Sequence, residues 1–161
     1  MPKLRPRDVA LMISILLMGI LLGGIVYAHV VFFPPYLSAL PASSVLVNGP
    51  YPLHDGYFWM LIHPLAILSL LVALVVNWKI PARRKLITVP LIVYVLAIAV
   101  TAFYFVPELQ NFENSPNIAV TPAEWYARGQ RWQHLSWTRG TVMGLSYISL
   151  LLALAWREDE R

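Results

Sequence analysis

The stretch YFWMLIHPLAILSLLVALVVNW, residues 57–78, decides the fold. It contains no Asp, Glu, Lys or Arg, and only one ionisable group of moderate cost, His63. A helix rises about 1.5 Å per residue and the hydrocarbon core of a bilayer is roughly 30 Å thick, so about 20 such residues cross it. Working outward, residues of about 9–33 and 86–106 have the same character. A fourth apolar piece is short, but its helix begins far upstream. Thr121, Pro122 and Glu124 place a hydroxyl at the N-cap, proline at the first helical position and a carboxylate at the third. The span within that helix is taken as about 135–156, with its first half standing clear of the bilayer.

Composition agrees with this reading. Of 161 residues 58% are hydrophobic and 12% charged, and the mean hydropathy is +0.63. The expected fold is all-α: one domain, 1–161, forming an integral membrane four-helix bundle, antiparallel, with a long fourth helix protruding on the outer side. The outer loops are 34–55, rich in proline (Pro34, Pro35, Pro41, Pro50, Pro52), and 107–121. Lys3, Arg5, Arg7, Lys79, Arg83, Arg84, Lys85, Arg157 and Arg161 fall at the two termini and the turn between spans two and three. The positive-inside rule puts those segments in the cytoplasm. Arg128, Arg131 and Arg139 remain on the other side, all in helix four. The net charge of +4 is thus a topological signal, which argues against nucleic acid as a partner. The basic start and Val26-Tyr27-Ala28 also fit a cleaved secretory signal, but the apolar run from Val9 is longer than a signal core, so a retained first span is expected.

Cysteine is absent, which removes disulfides, thiolate metal sites and a Cys nucleophile. Gly19 and Gly23 form a Gly-xxx-Gly pair suited to close helix approach, within the chain or toward a homo-oligomer or complex partner. Pro64 and Pro90 lie inside spans and free backbone carbonyls. Asp55 reads as the N-cap of the second span, and His54 as an exposed loop residue.

Polar groups of different spans fall at one depth. His29 ends the first span, His63 lies about 9 Å inside the second, and Glu108 follows the third on the same face as Thr101 and Tyr104. His134 and Arg139 reach that level from helix four. Ionisable groups in a bilayer are costly and face the bundle interior, paired or functional. His29, His63, His134 and Glu108 are candidate ligands of a transition metal, iron, copper or zinc. Haem, with axial histidines, fits this cluster less well. Without metal, His63 or His134 would serve as general base and Arg139 as oxyanion holder. Trp59, Tyr104, Trp132 and Trp137 concentrate at the same face. They form an interfacial aromatic belt or the lining of a pocket for a planar lipophilic molecule.

The chain resembles the anthrone oxygenase-like family of small four-span membrane proteins. The resemblance lies in Tyr27-Ala28-His29-Val30-Val31-Phe32-Phe33-Pro34, in His63-Pro64, in Phe105-Val106-Pro107, and in the segment from Trp125 to Arg139. It implies a membrane oxidoreductase that oxygenates an acidic carbon of a fused aromatic or quinol-type molecule. Three histidines are more than a base mechanism requires, which keeps the metal in consideration. The alternative from another class is a non-catalytic membrane subunit, or a small-molecule, metal or haem-binding protein, whose polar cluster ties the helices together.

Overall fold

The computed structural model describes residues 5–53 and 55–156. Lys3, His54, Arg157 and Arg161 lie outside the described residues. Four helices are long and apolar enough to cross a membrane: α1 (Pro6–Ser38), α2 (Gly56–Val76), α3 (Pro81–Glu113) and α4 (Pro122–Ala155). In α1, Leu11, Met18, Leu21 and Ile25 recur at spacings of seven, three and four and are buried. Ile62, Ala66, Leu70 and Ala73 do the same in α2, as such a stripe must to face one neighbour. With Ile87, Tyr94 and Ala97 of α3 and Met143, Leu150 and Ala153 of α4 they make one core. α1 packs on α2 and α4, and α3 packs on the same two helices. Leu16, Leu68, Leu96 and Leu145 point outward and are exposed, so the outside of the bundle is as apolar as its interior.

Two boundaries differ from expectation for a common reason. α1 runs through Pro34 and Pro35 to Ser38, and α3 runs through Pro107 to Glu113, each by way of one π-helical turn, Ala28–Phe32 and Thr101–Phe105. Proline cannot donate to the carbonyl one turn back. The widened turn moves the ladder by one residue, so the Phe33 N–H reaches the Ala28 carbonyl and the Val106 N–H reaches Thr101. The prolines then open a new helical turn, where their missing N–H costs nothing. Three helices, of 33, 33 and 34 residues, therefore exceed the roughly 20 residues that a span requires, rather than α4 alone.

Their extra turns pack together as a second core of Phe33, Tyr36, Leu37, Phe112, Trp125 and Trp132, among others. Gly129 permits this approach, because a β-carbon there would lie 3.1 Å from Leu37 Cβ and 3.3 Å from its carbonyl oxygen. The loop between α1 and α2 closes over this end, with Asn48 Nδ2 donating to the Glu113 carbonyl at 2.6 Å. Thr121 caps α4 as its sequence indicates, its Oγ1 accepting from the Glu124 N–H at 3.2 Å. Asp55 occupies the N-cap position of α2 but makes no side-chain cap. The Gly19 and Gly23 pair also behaves differently from a symmetric contact. Gly19 faces the Tyr147 hydroxyl of α4, whereas Gly23 faces open space.

The opposite end, which carries the basic turn, is closed by a polar lock. Arg83, only 7% exposed, donates to Asp8 Oδ1 at 2.5 Å, to Asn77 Oδ1 at 3.3 Å and to the Trp156 carbonyl at 3.0 Å. Asn77 in turn donates to the Arg7 carbonyl at 3.2 Å. One guanidinium thus joins the start of α1, the α2–α3 turn and the end of α4.

Two stability outcomes follow. Asp8→Ala removes the anion from a buried guanidinium and should lower stability by about 2 kcal/mol, the scale of a hydrogen bond to a charged group. Gly129→Val should cost about 1–3 kcal/mol by overpacking, whereas Gly144→Val, where a β-carbon meets nothing within 4 Å, should cost less. Thermal unfolding in detergent reads both, and equal shifts for the two glycine variants would contradict the packing described.

Candidate functional site

The polar site is built where the two π-helical turns face α4. Opening the helix at Ala28–Phe32 leaves backbone groups without ladder partners, and the His29 carbonyl accepts instead from Gln133 Nε2 of α4 at 3.4 Å. The His29 ring donates from Nδ1 to the Ile25 carbonyl at 2.7 Å. A carbonyl can only accept, so this bond places the ring proton on Nδ1 and leaves the Nε2 lone pair bare. His29 is 3% exposed and Nε2 has no hydrogen-bond partner. Aromatic rings surround it: Trp137 at 4.9 Å, Phe33 at 5.2 Å, and Trp132 stacked at 6.1 Å between centroids.

The matching donor comes from α4. Thr101, first residue of the second π turn, donates its hydroxyl to the Ala97 carbonyl at 2.6 Å, which turns its oxygen into an acceptor for Arg139 Nη1. Arg139 Nη2 donates to Ser136 Oγ at 3.0 Å, and the guanidinium lies 4.1 Å from the centroid of the Phe105 ring. Its Nε–H is buried with no acceptor. Among the described residues no carboxylate pairs with Arg139; the acids in ion pairs are Asp8, with Arg83, and Glu108, with Arg128. Trp132 joins the two halves. It stacks on His29, meets Phe105 edge to face at 5.5 Å, and donates from Nε1 to the Phe105 carbonyl at 3.1 Å. A bare acceptor and an unused donor thus sit against one aromatic box. Arg139 also lines a cavity of about 470 Å³ between α3 and α4, together with Tyr104 and Phe105.

His63 is held differently. Its Nδ1 is 2.6 Å from the hydroxyl of the fully buried Tyr94, and its ring stacks on Trp59 at 5.7 Å. Trp59 Nε1 donates to Asp55 Oδ2 at 2.8 Å. His63 therefore has a partner within the bundle, whereas His29 Nε2 has none.

Two expected members of the cluster fall elsewhere. His134 is exposed, pointing away from the bundle. The inward face of α4 is set by Trp132, Ser136, Gly140 and Met143, and two residues along a helix turn a side chain by roughly 200°. Glu108 is taken by Arg128, which donates from Nε and Nη2 at 2.7 and 2.6 Å, and by Asn111 at 3.0 Å. Accordingly, no group of three His, Asp or Glu side chains suited to a metal forms among the described residues, and the quartet His29, His63, His134 and Glu108 is not assembled. Of the aromatic candidates, Trp132 and Trp137 border His29, Trp59 borders His63, and Tyr104 lies in the α3–α4 cavity.

Tyr94 and Ser136 contribute to the site without having been singled out by sequence, and Phe105 was named there only as part of a motif, with no role. Ser136, three residues before Arg139 and so on its face, carried a usable signal; Tyr94 is 31 positions from His63 and carried none. No protein-family model matches the chain, and neither the curated proteins nor the solved structures contain a match to it.

Proposed function

We propose that this chain is a multi-pass membrane oxidoreductase of the anthrone oxygenase type, acting on a lipophilic hydroxyaromatic or quinol-type molecule near the outer face. In this reading the four helices cross the bilayer antiparallel, with the basic end and both termini in the cytoplasm. The observation that carries the reaction is the pairing of a buried bare acceptor, His29 Nε2, with an uncompensated cation, Arg139, whose Nε–H is unused. A group that both donates and accepts satisfies the two together. The acidic C–H or O–H of a phenol, enol or anthrone is such a group, and its conjugate anion is drawn to the guanidinium.

The chemistry then balances with dioxygen as the only oxidant. His29 Nε2 takes the proton from the activated methylene carbon, and Arg139 stabilises the resulting enolate oxygen. The carbanion gives an electron to dioxygen, and the radical pair combines to a peroxide anion, which takes the proton back from the His29 imidazolium to become a hydroperoxide. Loss of water from that hydroperoxide leaves the new carbonyl. Overall one CH₂ and one O₂ become one C=O and one water. Trp132, Trp137 and Phe105 offer flat faces to the fused rings. The scheme runs through no metal because no ligand triad converges among the described residues. His134 drops out as a base because it points away, and His63, bonded to Tyr94, supports the geometry or takes a second proton.

The non-catalytic alternative draws on that same His63–Tyr94 bond, which ties α2 to α3 with no substrate needed. Oxygen uptake by the purified protein in lipid nanodiscs, with a hydroxyanthrone as substrate, separates the two. We expect acceleration over the protein-free rate, a loss of about 10²-fold or more in His29→Ala and in Arg139→Gln, and no change in His134→Ala. No acceleration by the wild type, or full activity in His29→Ala, would leave the structural reading standing.

A further inference from the structure

A larger cavity, about 670 Å³, lies on the other side of the bundle, between α1 and α2. Its lining follows α1 from Ile20 to Pro35 and includes Asp55 and Trp59 of the start of α2, with Leu46 and Leu53 of the loop above. Such a volume falls within the range of small-molecule sites. Ile20, Tyr27 and Val31 are exposed, so the cavity is reached from the outward apolar surface rather than from the bundle axis. It does not include His29, His63 or Arg139.

Two neighbouring glycines shape it in opposite ways. A β-carbon on Gly24 would come within 2.6 Å of the Phe58 ring, so Gly24 lets α2 press against α1. A β-carbon on Gly23 would meet nothing within 4 Å, and the notch it leaves remains open. Within this apolar space stands one carboxylate. Asp55 could cap α2, yet makes no cap bond; its Oδ2 accepts from Trp59 Nε1 at 2.8 Å, and the carboxylate borders the chamber. An ionised carboxylate only accepts. An acceptor lining an apolar chamber selects an occupant with a hydrogen-bond donor, and the uncharged donor that suits an apolar body is a hydroxyl.

We propose that this cavity is a second ligand site, separate from the His29 and Arg139 site, for a lipophilic alcohol whose hydrocarbon fills the notch at Gly23 and whose hydroxyl donates to Asp55. The site selects against its ethers, which cannot donate, and against fatty acids, whose carboxylate would face another carboxylate. Trp59 is its polar hinge, holding Asp55 by the indole N–H while its ring backs onto His63.

The test uses the full chain in nanodiscs with labelled hexadecanol, its methyl ether, and palmitate as competitors, and reads binding rather than turnover. The alcohol should bind about ten-fold more tightly than the ether, the discrimination of one hydrogen bond to a charged group. Asp55→Ala should erase that preference. Gly23→Leu should fill the notch and weaken binding of both by ten-fold or more while the unfolding temperature stays within a few degrees of wild type. Equal binding of alcohol and ether would make the cavity a plain hydrocarbon pocket and overturn the proposal. So would unchanged binding in Gly23→Leu, or a preference that survives Asp55→Ala.

Discussion

Every carbonyl that a proline strips of its N–H partner must find another donor inside an apolar bundle, and this requirement organises the protein. In an apolar medium an unsatisfied backbone group costs several kcal/mol, more than most single packing contacts return. Pro90 removes the ladder donor for Leu86, and Ser149 of α4 supplies a hydroxyl to that carbonyl at 2.8 Å. Pro34 and Pro35 are absorbed by the π turn at Ala28–Phe32, and Gln133 reaches the His29 carbonyl. Pro107 is absorbed by the π turn at Thr101–Phe105, and beside it Trp132 donates to the Phe105 carbonyl. At these three places the side-chain donor comes from α4. The helix with the most polar inward face is therefore the one that holds the others in register.

The same turns set Thr101 against Arg139, and Trp132, between Phe105 and His29, links the two π turns. Single-turn π segments shift every following side chain by about one position around the axis, and they recur at functional sites for that reason. An arginine within an apolar bundle costs on the order of 3 kcal/mol. Hydrogen bonds to a charged group return about 1.5–3 kcal/mol each, and Arg139 makes two, to Thr101 and Ser136, besides its contact with the Phe105 ring. Hence the cation is tolerable without a carboxylate, and its charge stays available to an anion from outside the chain. Had Glu108 been its partner, the site would be neutral. Arg128 prevents this by engaging both oxygens of Glu108.

Helix number and type were legible because run length and charge avoidance are properties of composition along the chain, as residues 57–78 show. The Thr121 start of α4 was legible because a cap is local chemistry. The ends of α1 and α3 were not: proline normally stops a helix, and here a π turn, with a side chain of α4 donating to the carbonyl freed at His29, lets the chain continue. Rotation about the helices was not readable from the sequence. That is why His134 faces away from the bundle, and why Glu108 belongs to Arg128. Hydropathy is silent on phase when both the inner and outer faces of a helix are apolar. The polar lock at Arg83, Asp8 and Asn77 was hidden for a related reason, since Arg83 reads as one more basic residue in a basic turn.

The His29 ring presents a bare Nε2 inside the bundle, and Arg139 has no carboxylate partner among the described residues. The chain has only four histidines, so ¹⁵N-histidine NMR in nanodiscs, with His29→Gln for assignment, reads this directly. We expect an unprotonated Nε2 and a protonated Nδ1 for His29, with the Nε2 resonance moving when a lipophilic phenol is added and staying in place in Arg139→Gln. A His29 ring carrying its proton on Nε2, or one indifferent to the phenol in the wild type, would contradict this arrangement.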